Sequence, residues 1–194
     1  ACNTATAACI KEMREKYIIP IVGMEPAVKP AIKASKEKRI GILATEGTLK
    51  SAKFSALLEH HDGEYHFYTQ PCVGLVELIE KGEINTPQIR ELVSNYLAPL
   101  KHHNVDVIVL GCTHYFYIKN IVEEYFKEPV KVIDTGAAVA KQVLNTLKKH
   151  NLLNNKKDKT PLIYSNSSSN INKVIERLLP INNDQLLFSK DFNI

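Results

Sequence analysis

Val105-Asp106-Val107-Ile108-Val109-Leu110 is the most strand-like stretch of the chain, and it runs straight into Gly111-Cys112-Thr113-His114. Its residues are largely β-branched and nearly all apolar, the pattern of a strand buried on both faces beneath helices. Working outward, the same unit recurs. Arg39-Ile40-Gly41-Ile42-Leu43-Ala44 is a second strand that passes into Thr45-Glu46-Gly47-Thr48 and a helix through His60. Tyr65 to Tyr68 alternates weakly before a helix over about Val73 to Lys81. Thr86-Pro87 is an N-cap and first-turn pair that opens another helix. Val130-Lys131-Val132-Ile133 leads through Asp134-Thr135-Gly136 into a helix from Ala137 to Lys149. After a solvated loop at 154–159, Leu162-Ile163-Tyr164 and a helix from Ile171 to Leu179 make a last unit. Ile18 to Gly23 reads as a further strand, with Glu25-Pro26 opening a helix. Repeated strand–loop–helix units predict an α/β fold with mainly parallel sheets.

In such sheets the functional loops stand at the carboxyl ends of the strands. Three qualify: Ala44-Thr45-Glu46-Gly47-Thr48, Gly111-Cys112-Thr113-His114 and Asp134-Thr135-Gly136. Ala1-Cys2-Asn3-Thr4 has the same character but no strand before it. The last of the three loops lacks a glycine-rich phosphate-binding pattern, so helix capping is its expected role.

Composition narrows the classes. A 44% hydrophobic and 24% charged content fits a globular chain that buries a core. No apolar run approaches the roughly 18 residues of a membrane span, and no basic-plus-apolar leader opens the sequence. Membrane and secreted readings are therefore set aside, and the expected location is cytoplasmic. The 25 Lys+Arg and 21 Asp+Glu leave only +4, spread along the chain, which gives no reason to expect nucleic acid. The charge run Lys36-Glu37-Lys38-Arg39 reads as surface. His60-His61 and His102-His103 are adjacent pairs that do not share a helical face, so solvated helix ends are expected rather than metal ligands.

Four cysteines without a C-x-x-C spacing indicate reduced thiols, not a disulfide framework or zinc site. A free Cys is ordinarily a small buried hydrophobe, and Cys9 and Cys72 offer nothing beyond that. Cys2 and Cys112 differ. Each follows a small residue, precedes two polar ones and enters a helical pattern. A Cys at a helix N-terminus faces unpaired N–H groups that favour the thiolate, so a lowered pKa is the expectation. One such Cys suggests an ordinary nucleophile, as in a cysteine hydrolase using Cys112 and His114, or no catalysis at all. Two in similar loops suggest pseudo-symmetric lobes and two acid/base groups on opposite sides of a substrate, the requirement of stereoinversion.

Ala-Cys-Asn-Thr-Ala at 1–5 and Leu-Gly-Cys-Thr-His-Tyr at 110–115 resemble the two signature motifs of glutamate racemases, in the aspartate/glutamate racemase superfamily. Gly23-Met24-Glu25-Pro26, Gly47-Thr48-Leu49-Lys50-Ser51, Val76-Glu77 and Val132 to Ala137 fit the same pattern, which weakens after about residue 150. The resemblance implies a cofactor-independent racemase that interconverts L- and D-glutamate for peptidoglycan. Carried over, Cys2 and Cys112 are the catalytic acid/bases, His114 assists the second Cys, and Glu77 supports it. Asn3, Thr4, Thr113 and His114 resemble the residues that hold substrate. Thr113-His114 matches the glutamate rather than the aspartate type. The implied architecture is two lobes with the site in the cleft between them, residues 1–29 and 135–194 in the first and 30–134 in the second. A homodimer is compatible with the resemblance, with glutamate as the small-molecule partner. Phe116 stands where the family usually has Pro, and Val73-Gly74-Leu75 replaces its Val-Pro-Leu. The family also carries Asp-Ser-Gly and Tyr-Gly motifs ahead of its first Cys. Neither is present, so the expectation is that these residues are part of a longer enzyme and inactive alone.

Overall fold

A computed structural model describes residues 2–61, 63–126, 129–154, 163–165, 172–179 and 186–188. At its centre is a parallel four-stranded sheet in the order β2-β1-β3-β4, with β1 Arg39–Ala44, β2 His66–Pro71, β3 Val107–Leu110 and β4 Lys131–Asp134. In register, Ile40 of β1 stands beside Phe67 of β2 and Val107 of β3, and Val107 beside Lys131 of β4. A second parallel pair joins β5 Ile163–Ser165 to β6 Leu186–Phe188. The loop at 155–159 lies outside the described residues.

Alternation along β1 and β3 decides how the sheet is covered, because successive side chains point to opposite faces. Ile40, Ile42, Val107 and Val109 pack on one face with Val28 and Ala31 of α2 (Val28–Ala34) and Phe54 of α4 (Ala52–Glu59). Leu43, Ile108 and Leu110 pack on the other with α5 (Leu75–Glu80), α6 (Pro87–His102) and α7 (Lys119–Tyr125). Helix α6 shows why its sequence folds there. Thr86 caps it by accepting from the Ile89 N–H, Pro87 occupies the first turn, and Ile89, Val93, Leu97 and Leu100 form one buried stripe. Each of those side chains contributes about 2 kcal/mol by leaving water.

Two elements depart from expectation. Ile18 to Gly23 is an extended connector and not a strand, with Ile18 fully exposed. Its apolar residues have strand propensity, but no strand among the described residues offers it a hydrogen-bond ladder, and propensity alone does not make a strand. The helix expected through His60 is two helices, α3 (Glu46–Leu49) and α4, because Ser51 caps a new start by accepting from the Phe54 N–H. Helix α8 (Gly136–Lys149) is amphipathic, yet none of its residues is fully buried. The helix expected near 171–179 is α9 (Asn172–Leu178).

Strands β2 and β3 lie on opposite sides of β1, so the topological switch point falls between β1 and β3. A crevice outside the carboxyl ends of those two strands is where such sheets bind ligands. Helix α1 (Asn3–Lys16) brings its N-terminus to that crevice. A larger cavity of about 600 Å³ lies at the opposite end of the strands, lined by Arg39, Lys101, Asn104 and Asp106 among others. There Asp106 is occupied structurally, accepting from the Ser35 hydroxyl and the Lys36 and Glu37 N–H groups at 2.6–2.8 Å.

Candidate active site

Two cysteine loops meet at the switch point. Cys2 caps α1, its Sγ accepting from the Ala5 N–H at 3.3 Å, and is half-buried. Cys112 follows β3 and caps a short 3₁₀ segment, Thr113–Ile118, with 8% of its surface exposed. Gly111 is needed between β3 and this Cys: a Cβ there would stand 2.8 Å from the Leu43 carbonyl oxygen and 3.0 Å from Ala44 Cβ. The eclipsed i and i+3 positions of the 3₁₀ segment bury Tyr115 and Ile118 and leave Phe116 exposed. That exposure is what leaves room for the Phe116 ring.

The Cys112 thiol is pushed up from the ordinary value, contrary to expectation. Burial is the largest cause, and the negative influence of Cys2 adds to it, while the His114 N–H, the Thr113 hydroxyl and the Tyr115 N–H act in the opposite direction. Desolvation of a thiolate outweighs the few N–H groups that a single 3₁₀ turn can aim at it. The mutual influence of the two thiols also places Cys2 within electrostatic reach of Cys112. Cys72, buried below the site, is pushed up to about 12 by burial, so it fits the expectation of an inert small hydrophobe. Cys9 donates to the Ala5 carbonyl within α1.

Behind Cys112 stands His114, its Nδ1 3.7 Å from Cys112 Sγ and its Nε2 3.1 Å from Glu80 Oε1. The tautomer with its proton on Nε2 would donate to the Glu80 carboxylate and leave Nδ1 facing the thiol. The expected carboxylate, Glu77, lies on the exposed side of α5 and acts electrostatically on Tyr96, and the structure does not bring it to His114. Glu80 is one turn further along the same helix, and helical periodicity cannot choose between two positions three apart. The entry to α5 also explains Gly74, whose φ of 84° is open to Gly and closed to Pro.

On the Cys2 side, Asn3 is buried and its Nδ2 donates to the Gly111 carbonyl at 2.6 Å. Thr4 Oγ1 lies 3.0 Å from Thr48 Oγ1 and 3.3 Å from Thr45 Oγ1, and Thr45 donates to Thr48 at 3.1 Å. Thr45 and Thr48 are residues the sequence reading did not single out, although it had chosen their loop. The signal was their position just past β1, where Thr45 caps α3. Thr113 borders a cavity of about 480 Å³ together with Met24, Cys112, Phe116, Tyr117 and the turn from Asp134 to Ala137. In that turn Asp134 Oδ1 accepts from the N–H of Gly136, the first residue of α8, at 2.8 Å. His60, His102 and His103 are exposed, and His103 stacks on Tyr68. Among the described residues no group of three His, Cys, Asp or Glu is placed to hold a metal ion.

The arrangement therefore offers two thiols on different elements, an imidazole between one of them and a carboxylate, and a cluster of hydroxyls beside the other. Comparison with known proteins gives it a lineage. A family model described as Asp/Glu/Hydantoin racemase matches residues 1–143. The chain is 47% identical to a glutamate racemase of Pseudomonas aeruginosa over 182 residues, 93% of this chain and 68% of that protein. It is 52% identical over 154 residues to one of Ectopseudomonas mendocina, 79% of this chain and 59% of that protein. Among solved structures, a glutamate racemase isoform from Bacillus anthracis superposes with a TM-score of 0.82 at 26% identity, covering 96% of this chain and 70% of that one. The Escherichia coli glutamate racemase, in complex with L-glutamate and an activator, superposes with a TM-score of 0.79 at 26% identity, covering 96% of this chain and 71% of that one. By sequence and by fold, the chain belongs to the Asp/Glu/Hydantoin racemase family.

Proposed function

We propose that the protein is a glutamate racemase that inverts the α-carbon with Cys2 and Cys112 as its two acid/base groups. The observation that carries this reading is the joining of the two cysteine loops at the switch point, Asn3 bonded to the residue before Cys112. The glutamate racemases among its relatives support the substrate. In one direction the Cys2 thiolate takes the α-proton, and the Cα–H electron pair stays on the substrate. The Cys112 thiol then delivers a proton to the opposite face and is left as the thiolate. The reverse direction exchanges the roles, so atoms and electrons balance without an oxidant or reductant.

An amino-acid α-proton is a very weak acid, so charge that develops on the substrate needs fixed donors in a water-poor cleft. Thr4, Thr45 and Thr48 supply hydroxyls on the Cys2 side, and Thr113 supplies one beside Cys112. Asn3 was carried over as a substrate ligand by resemblance, alongside Thr4. The burial that raises the Cys112 pKa keeps it a proton donor at neutral pH, and His114 Nδ1 is placed to take that proton when Cys112 must act as the base. Glu80, rather than Glu77, is the carboxylate that sets the imidazole. Residues 1–29 and 135–194 form one lobe and 30–134 the other, with the cleft between them. The product D-glutamate would serve peptidoglycan, in a cytoplasmic enzyme with no resident cofactor.

The test is α-proton exchange in D₂O. The full-length protein should exchange the α-proton of either glutamate enantiomer without added cofactor, and Cys2→Ser and Cys112→Ser should each abolish racemisation. Racemisation retained by either variant sinks the two-thiol assignment. Faster turnover of aspartate than glutamate sinks the substrate assignment.

A further inference from the structure

Two tyrosine hydroxyls converge on the short loop that leads into α5. The Tyr115 hydroxyl donates to the Cys72 carbonyl at 3.4 Å, and the Tyr96 hydroxyl donates to the carbonyl of Val73, the next residue. Tyr115 is fully buried on the 3₁₀ segment that follows Cys112, 43 positions from Cys72. Tyr96 stands on α6, 23 positions from Val73. A carbonyl oxygen only accepts, so both hydroxyls are donors here. Neither has a part in the two-thiol chemistry.

The loop has little of its own to fix it. Gly74 caps α5 without a side-chain hydrogen bond, nothing lies within 4 Å of where its Cβ would stand, and Val73 is 63% exposed. Helix α5 is only six residues long, too short to be stable by itself. Leu75, Leu78 and Ile79 press it onto the core, but apolar contact is non-directional. A hydrogen bond weakens steeply off its line, so donors on two successive carbonyls define where the helix enters and how it is turned. At the far end of α5, Glu80 Oε1 lies 3.1 Å from His114 Nε2. His114 and Tyr115 are adjacent, so the Cys112 segment grips α5 at both ends, by the imidazole at Glu80 and by the phenol at the entry.

From this we infer that Tyr96 and Tyr115 are positioning residues whose hydroxyls fix the entry of α5 and so hold Glu80 against His114. The inference rests on the two-cysteine reading above, in which that imidazole serves Cys112. Tyr96→Phe and Tyr115→Phe each keep the ring and remove only the donor, so the apolar packing is retained. In the full-length protein the double variant should lower kcat at least about fivefold in each direction while KM for either enantiomer stays within about threefold. With Glu80→Ala already in place, the same two substitutions should change kcat less than about twofold, because the contact they serve is gone. A substrate-free measurement accompanies these kinetics. The ring-nitrogen NMR signals of His114, identified by their loss in His114→Gln, should move in the double variant toward their positions in Glu80→Ala. A smaller loss of kcat, a larger change in KM or a larger change in the Glu80→Ala background would overturn the inference, as would His114 signals that stay at their wild-type positions. Wild-type protein that leaves glutamate unaltered would refute the racemase reading instead, and the His114 signals would then judge the tyrosines alone.

Discussion

Gly111→Ala tests whether the cysteine loop is held by backbone packing. The new Cβ would stand 2.8 Å from the Leu43 carbonyl oxygen and 3.0 Å from Ala44 Cβ. Relief to an ordinary contact needs a shift of roughly half an ångström, since carbon and oxygen rest about 3.3–3.5 Å apart. The obstructing oxygen belongs to the backbone of β1, so no rotamer change can supply the shift. It also accepts the 2.7 Å bond from the Gly111 N–H, which must lengthen as the strands part. Overpacking of this kind costs about 1–3 kcal/mol. For a chain of this size each kcal/mol corresponds to about 2–4 °C, so a cost of about 2 kcal/mol lowers Tm by about 4–8 °C. The same movement displaces Cys112, and half of the 1 Å error that costs a hundredfold predicts about a tenfold loss of kcat. Calorimetry and racemisation followed by polarimetry, at a temperature where both proteins are folded, separate the two effects. A variant with wild-type Tm and wild-type kcat would refute the idea that β1 clamps the loop.

Further outcomes follow from other contacts. Glu80→Ala should lower kcat roughly tenfold by removing the hydrogen-bond partner of His114 Nε2, and more than Glu77→Ala does; the opposite ranking returns the role to Glu77. Cys72 is raised from 9.0 to about 12, so the folded state binds its proton more tightly. That contribution is complete below pH 9 and declines by about 1.4 kcal/mol per pH unit as pH rises toward 12. Urea titrations at pH 8 and pH 10 should show a smaller loss of stability for Cys72→Ala than for wild type; equal losses would contradict the assignment. Thr86→Ala removes the cap of α6 and should cost about 1 kcal/mol in the same titration, with no change in racemisation.

Much of the molecule was legible along the chain. Within the near-continuous apolar run at 105–110, Val107–Leu110 is a strand buried on both faces, because alternation in a parallel sheet puts each of its residues under a helix. Thr86-Pro87 opens α6 as read, since capping and the first-turn preference for Pro act between near neighbours. The stretch at 18–23 misled for the complementary reason. Its apolar residues report a tendency that only a partner strand can realise, and none of the described strands pairs with it.

By itself the sequence determined the α/β class, the loops at the carboxyl ends of β1 and β3, and the two-cysteine pattern of the family. Each of these is written in periodicity or in a short motif. Only the tertiary structure decided that Glu80 rather than Glu77 meets His114, that burial raises Cys112, and that Asn3 donates to the Gly111 carbonyl. Those facts depend on which elements pack together across 34 to 108 positions of chain. Desolvation and hydrogen-bond partnership belong to the assembled surroundings of a group, and no local pattern of residue types encodes them.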